Sequence, residues 1–468
     1  MVNSHKDIVF PEFVFNPPSP SQYRELISYQ SQGKVKQFPV LLLPNKDQRF
    51  ITLIIYVKAG SYLDGVKGKN GLSHIAWELL KSPSNELMKR WYSMAAEVKT
   101  SLSNNRGVIT MKVLPQNFSQ ALMSLRNLFT GQISIDSSEL DKLKASQLAL
   151  LKQRNSTVSS IADRIVNRVA YGTFFYINDL PTKQSIRSIS ISDVNQFIRN
   201  VMQPSSFIVA VSGDFDKQEM KNELKDFFSN WPTDNAAFDL SIPSAPAMRS
   251  QGTYIYNEPG QAQAAIRVML PGIKKGNNDF FALLLVDKEL GDGMNSRLFN
   301  SVRTQAGLTY HIGSSLHFSP FYKGPIVIST QVAVKNTVKT VGLIKKELDT
   351  LASNGLVKSE LVRLKKNVIG HYQHNFSNSN DIAMMLLRSI YNGDFNRDPE
   401  YLRNWTKKID SISLSQINRV LKHYFNSQDV RVVLVGDESK MGDLTRLKLM
   451  GPIHFLPSED PVTLKRKA

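Results

Sequence analysis

His74 and Glu78 are the first residues in this chain whose types and spacing suggest chemistry. They lie in Gly71-Leu72-Ser73-His74-Ile75-Ala76-Trp77-Glu78-Leu79-Leu80, where Leu72, Ile75, Ala76, Leu79 and Leu80 recur at helical spacing and predict a helix with one buried face. A residue and its fourth neighbour share a side of a helix, so an imidazole and a carboxylate placed there can grip one metal ion. A catalytic zinc site needs about three protein ligands, an open position for water, and a base that takes the water's proton. The residue placed to activate water is Trp77, whose indole only donates. The pair is expected either to adsorb zinc weakly or to settle into a His–Glu hydrogen bond or packed surface turn. His371 and His374 sit at i, i+3 spacing without a nearby third ligand and read as a solvated helix face. Gly291-Asp292-Gly293-Met294 lacks the lysine and strand-to-helix setting of a phosphate loop and reads as a turn.

The elements that position these residues read as an α+β mixture. Phe38–Leu43 and Ile51–Val57 are β-rich runs split by a polar turn at Asn45-Lys46-Asp47, and they predict a buried hairpin. A further helix and paired strands follow through Val113. Residues 115–129, 137–154 and 159–170 are helical by apolar spacing. Near residue 190 the chain begins to repeat itself. Ser188–Asp214 aligns without a gap on Ser411–Asp437, with matches at Ser190/Ser413, Asn195/Asn418, Gly213/Gly436 and Asp214/Asp437 among others. Each copy is a capped helix, an apolar strand and a Gly-Asp turn. Gly252–Tyr256 and Ala264–Leu270 repeat the strand-turn-strand opening, and residues 235–251, rich in Ala, Pro and Ser, read as a linker. The expected architecture is two similar α/β-sandwich domains, residues 1–240 and 241–468, each a mostly antiparallel sheet packed with helices.

Composition narrows the function. The formal charge of +18 comes from 58 Lys and Arg against 40 Asp and Glu. The cations are scattered pairs and a Lys465-Arg466-Lys467 tail, without aromatic interleaving or a nucleic-acid motif, so a solvated basic surface is expected and nucleic acid is not. Cysteine is absent, which removes disulfides and thiolate chemistry. The apolar runs are far shorter than the roughly 20 residues of a membrane span. No apolar stretch followed by small residues opens the chain; no signal peptide is visible, and export stays open.

Ala59-Gly60-Ser61 followed by Gly71-Leu72-Ser73-His74 resembles the metal-binding region of the inverzincin metallopeptidases, the pitrilysin, insulinase and mitochondrial processing peptidase family with the signature H-x-x-E-H. Ser296–Tyr310 resembles the same family's second-half signature, in which an arginine and a tyrosine seven residues apart reach the active site; here they are Arg303 and Tyr310. The resemblance covers nearly the whole chain. Carried over by position, the first zinc histidine falls on His74, the base glutamate on Trp77 and the second histidine on Glu78. The distal glutamate ligand would fall near Leu150–Arg154, and no glutamate stands anywhere from residue 140 to 200. The resemblance therefore implies a chain that binds no zinc and is inactive alone. It implies a non-catalytic subunit of a heterodimeric bacterial peptidase. The partner would carry H-x-x-E-H and zinc, the substrate would be an unfolded peptide, and Arg303 and Tyr310 would reach the partner's site. The alternative is a scaffold or peptide-binding protein of the same fold; an independent metallopeptidase would need stoichiometric zinc. Many two-gene relatives resemble exported proteins, so the periplasm is the expected compartment, with the cytoplasm as alternative.

Overall fold

The computed structural model describes residues 17–31, 33–64, 68–131, 137–232 and 241–457. Two six-stranded sheets form its frame. The first takes β1 (Arg24–Ser31), β2 (Lys34–Pro44), β3 (Ile51–Val57), β4 (Glu97–Leu102), β5 (Gly107–Val113) and β6 (Phe207–Gly213), ordered β1-β2-β6-β3-β5-β4. The second takes β7 (Gly252–Asn257), β8 (Gln263–Leu270), β9 (Ile312–Leu316), β10 (Ile326–Ala333), β11 (Arg431–Gly436) and β12 (Ile453–Leu456), ordered β12-β7-β11-β8-β10-β9. Without the outer strands β1 and β12 the two orders correspond strand for strand. In both, the first strand of the matching set runs parallel to the second, and the remaining pairs are antiparallel. The fold is the α+β, mostly antiparallel, duplicated arrangement that the repeat implied. Helices Ile191–Val201 and Leu414–Tyr424, which lead into β6 and β11, even open on the same device. Ser190 accepts from the Asp193 amide and Ser413 from the Gln416 amide, each within a reciprocal capping box.

The predicted hairpin is not there. β6 inserts between β2 and β3, parallel to one and antiparallel to the other, and β11 does the same between β7 and β8. A run of apolar residues followed by a turn says that a strand reverses, but not that its return stays adjacent. β2 pairs instead with β1, where only Ile27, Tyr29 and Ser31 are buried in an otherwise open, polar strand. Of the expected linker, residues 235–240 lie outside the described residues, as does the Lys465–Lys467 tail, and residues 241–250 carry no helix or strand. The expected boundary at 240/241 falls at the edge of that gap.

Both sheets are covered on both faces, and the covering explains their composition. β3 is buried at every residue. Its Ile51, Leu53, Ile55 and Val57 join the core beneath the helices of their own half, while Ile54 and Tyr56 face Leu386 and Leu387 of helix Ser379–Tyr391 from the other half. The exchange is reciprocal. Helix Val158–Tyr171 from the first half packs on Ala265, Met269, Val433 and Val435 of the second sheet. Alternate residues of a strand point to opposite faces, so a strand covered on both sides must be apolar throughout. Aromatic contacts reinforce the junction: Tyr171, Phe175 and Tyr176 surround Tyr322, and the Tyr391 hydroxyl donates to the Asn105 carbonyl at 2.9 Å.

Leu387 is fully buried in this junction. Leu387→Ala should cost about 2–5 kcal/mol. Urea unfolding followed by tryptophan fluorescence and by far-UV circular dichroism should shift together, because the helix stabilises the sheet of the other half.

Candidate functional site

Helix Leu72–Lys81 starts at Gly71, whose φ of 101° suits glycine and which has no side chain to cap the helix. Asp64 supplies the cap from the preceding turn. Its carboxylate accepts from the Gly71 amide at 2.9 Å, the Ser73 amide at 2.8 Å and the Ser73 hydroxyl at 2.9 Å. Burial pushes the Asp64 carboxyl up to about 7, outweighing those three donors, with the Asp179 charge adding to the rise. Leu72, Ile75, Ala76, Leu79 and Leu80 form the buried stripe, and His74, Glu78 and Lys81 lie on the opposite side. The His74 ring reaches solvent, yet desolvation by the surrounding chain lowers its proton affinity while the Glu78 charge pulls the other way. Glu78 pairs with Lys81 at 3.5 Å, an exposed contact of little energetic weight.

Trp77 turns away from that face. Its side chain is 2% exposed, lies in the core of the first half and meets Phe197 edge to face at 6.3 Å. The indole fits because residue 107 is glycine: a Cβ there would lie 1.9 Å from a Trp77 ring carbon. The indole N–H is buried without an acceptor among the described residues. The helix Ser137–Gln153, where the distal ligand would stand, packs against the same helix. It offers Leu150, half-exposed, and beyond its end Arg154 donates to the Pro181 carbonyl at 3.0 Å. Among the described residues no group of three or more His, Cys, Asp or Glu could hold a metal ion. The residues present do not fit a zinc centre: one imidazole, one carboxylate engaged by lysine, and an indole buried at the position of the base.

Arg303 and Tyr310 are brought together. Phe299–Gln305 forms a π-helical turn anchored by the buried Val302, and its wide winding sets Arg303 above Phe299. The guanidinium carbon lies 4.5 Å from the Phe299 ring centre and 4.7 Å from that of Tyr310, so the cation is held between two aromatic faces. No carboxylate pairs with Arg303 among the described residues, and Tyr310 is 85% exposed. Tyr310 and His311 form one wall of an open depression of about 550 Å³. The other wall is the end of β10, where Gln331–Ala333 run beyond the last residue paired with β9. Thr309 ties the two walls, its hydroxyl donating to the Gln331 carbonyl at 2.8 Å. Below, Arg267 of β8 donates to Asp163 at 2.7 Å and to the Ser159 hydroxyl at 3.2 Å, fastening helix Val158–Tyr171 to the sheet.

The sequence reading passed over three of these parts. Phe299 could have been found from its i, i+4 relation to Arg303, and Asp64 from the missing cap of a helix that begins at glycine. The Arg267–Asp163 clamp joins residues 104 apart and left no local signal. His371 stays exposed on helix Lys358–His374, as does His374, and Gly291–Met294 forms the turn before the Arg303 segment.

The site thus consists of a histidine helix without a metal-ligand set among the described residues and an arginine–tyrosine stack, on two sheets of one topology. Residues 188–368 match the family model described as Peptidase M16 inactive domain. The chain is 23% identical over 385 residues to the Non-peptidase homolog YmxG of Helicobacter pylori, covering 80% of this chain and 86% of that one. It is 20% identical over 419 residues to the Uncharacterized zinc protease YmxG of Bacillus subtilis, covering 88% and 98%. Among solved structures, the peptidase M16 inactive domain from Pseudomonas fluorescens superposes with a TM-score of 0.74 at 18% identity, covering 88% of this chain and 98% of that one. The chain is thus similar to M16 peptidases, the family that the two signatures resemble, and residues 188–368 are similar to their inactive domain.

Rebuilding the signature should fail. Trp77→Glu with Glu78→His restores the letters, but residue 77 faces the core and no third ligand waits on the neighbouring helix. Metal analysis of the purified variant should find no stoichiometric zinc. Trp77→Glu alone should lower stability by about 3 kcal/mol or more in thermal melts, because it removes a buried indole and buries a carboxyl in its place. Asp64 makes a second expectation. Its folded-state pKa of about 7 stands above the ordinary 3.8, so the stability it contributes is full below about 3.8 and is lost as the pH rises toward 7. Asp64→Asn should flatten the slope of melting temperature against pH across that window.

Proposed function

We propose that this chain is the non-catalytic half of a two-chain zinc peptidase, in which a homologous partner carries H-x-x-E-H. The chain helps to hold an unfolded peptide and lends Arg303 and Tyr310 to the partner's site. The observation that carries the reading is the stack itself: a guanidinium fixed between Phe299 and Tyr310, with no carboxylate partner among the described residues, beside a phenol open to solvent. An arginine so held keeps its donors aimed outward, where they suit the carbonyls or carboxylate of a peptide. A tyrosine hydroxyl can donate to the oxyanion that forms when an amide is attacked, and such donors act best when fixed beforehand. The partner's zinc would supply the attacking water.

The end of β10 adds a place for the peptide. Backbone groups of Gln331–Ala333 run past β9 into the depression beside Tyr310, and an extended chain laid there can pair with a strand edge. A basic surface, with a formal charge of +18, favours acidic peptides.

The test is reconstitution with the H-x-x-E-H relative encoded by a neighbouring gene. Arg303→Ala and Tyr310→Phe should each lower the peptide cleavage rate of the pair by roughly 10²-fold or more, without weakening assembly. Full activity in both variants would sink the catalytic assignment and leave the scaffold reading, which expects an assembly indifferent to Arg303.

A further inference from the structure

A second site lies away from the Arg303 depression, on the outer face of the first sheet. A cleft of about 470 Å³ opens there, bounded by β1, β2 and β6, by the end of helix Ser379–Tyr391 and by the short helix Asp394–Arg397 that follows it. Its volume is within the range of about 300–1,000 Å³ usual for small-molecule sites. The lining is apolar. Ile208, Ile242, Phe321, Ile390, Tyr391 and Phe395 face it and are only half-buried, so apolar surface is left uncovered between the two halves.

The tyrosine of the floor is already engaged. The Tyr391 hydroxyl donates to the Asn105 carbonyl, and the Arg106 guanidinium stacks on Tyr56 and Tyr391 at 4.5 and 5.1 Å. At the rim the situation is reversed. Arg24 and Lys58 line the cleft, both are exposed, and no ion pair joins either to a carboxylate among the described residues. The pleat of β1 explains Arg24: its neighbour Glu25 points to the other face, where it pairs with Lys221 at 2.6 Å and Lys217 at 3.7 Å. Among the described residues no aspartate or glutamate lines the cleft.

An apolar floor with unpaired cations at its mouth selects for a molecule of the same division. We propose that the cleft binds an amphipathic monoanion of the fatty-acid type, its hydrocarbon chain along Ile208, Ile390 and Phe395 and its carboxylate at Arg24 and Lys58. A free phosphate would leave the apolar walls unused. An extended peptide would bring backbone N–H and C=O groups that such walls leave unpaired, at a cost for each.

Fluorescence titration with cis-parinaric acid, followed by displacement with palmitate, tests the assignment on the full chain. Saturable one-to-one binding, displaced by palmitate and at least tenfold less by hexadecanol, is expected. Ile208→Trp fills the cleft and should abolish binding. Arg24→Glu with Lys58→Glu alters only exposed charges, so it keeps the test valid should the tryptophan disturb folding; it should weaken palmitate by about tenfold or more and leave hexadecanol unchanged. Absence of saturable binding, equal affinity for the acid and the alcohol, or indifference to the charge reversal in a chain of unchanged melting temperature would overturn the proposal.

Discussion

The structure depends on an exchange. Each half places one helix on the outer face of the other half's sheet, Val158–Tyr171 in one direction and Ser379–Tyr391 in the other. Without its borrowed helix, either sheet would present an apolar face to water, Ile54 and Tyr56 on one side and Met269 and Val433 on the other. Neither half is therefore a self-sufficient unit, although their strand orders match. The Arg267–Asp163 contact and the Tyr322 cluster are secondary to this exchange. They fix how the borrowed helix lies, once burial has decided that it stays.

What was legible in the sequence was what is local. The repeat could be read because a serine cap, an apolar helix face and a strand lie consecutively in each copy, and helix spans such as Phe118–Phe129 and Val158–Tyr171 follow from apolar spacing alone. Strand order could not be read. β6 slips between β2 and β3 after more than a hundred residues, and nothing in Ile51–Val57 records which strand lies beside it. The run did carry a hint, since an unbroken apolar strand is one covered on both faces. β1 was missed for the opposite reason: its buried residues alternate with polar ones in a stretch crowded by proline.

The same division applies to the site. Helical spacing separated His74 and Glu78 from the apolar stripe, and it also held the orientation of Trp77. At about 100° per residue, position 77 falls beside Ser73 and Leu80, within the buried arc. The residue that makes room for it, Gly107, stands on a strand thirty residues away and could not be paired with it by spacing. Arg303 and Tyr310 were recognisable as residue types; the π-helical turn that lifts one over Phe299 and against the other was not.

The two segments that resemble the peptidase signatures are packed differently. At residue 77, which the resemblance aligns with the base glutamate, an indole fills the core and a glycine leaves room for it, so a single substitution cannot install a working base there. At residue 310 packing has done nothing of the kind. A tyrosine left 85% exposed, stacked on an arginine with no carboxylate partner among the described residues, buries little surface and adds little to folding. A stack that orders two side chains costs conformational entropy that folding alone does not recover. A peptide docked against the exposed side would recover that cost, and this is the role proposed for the arginine–tyrosine face rather than for the histidine helix.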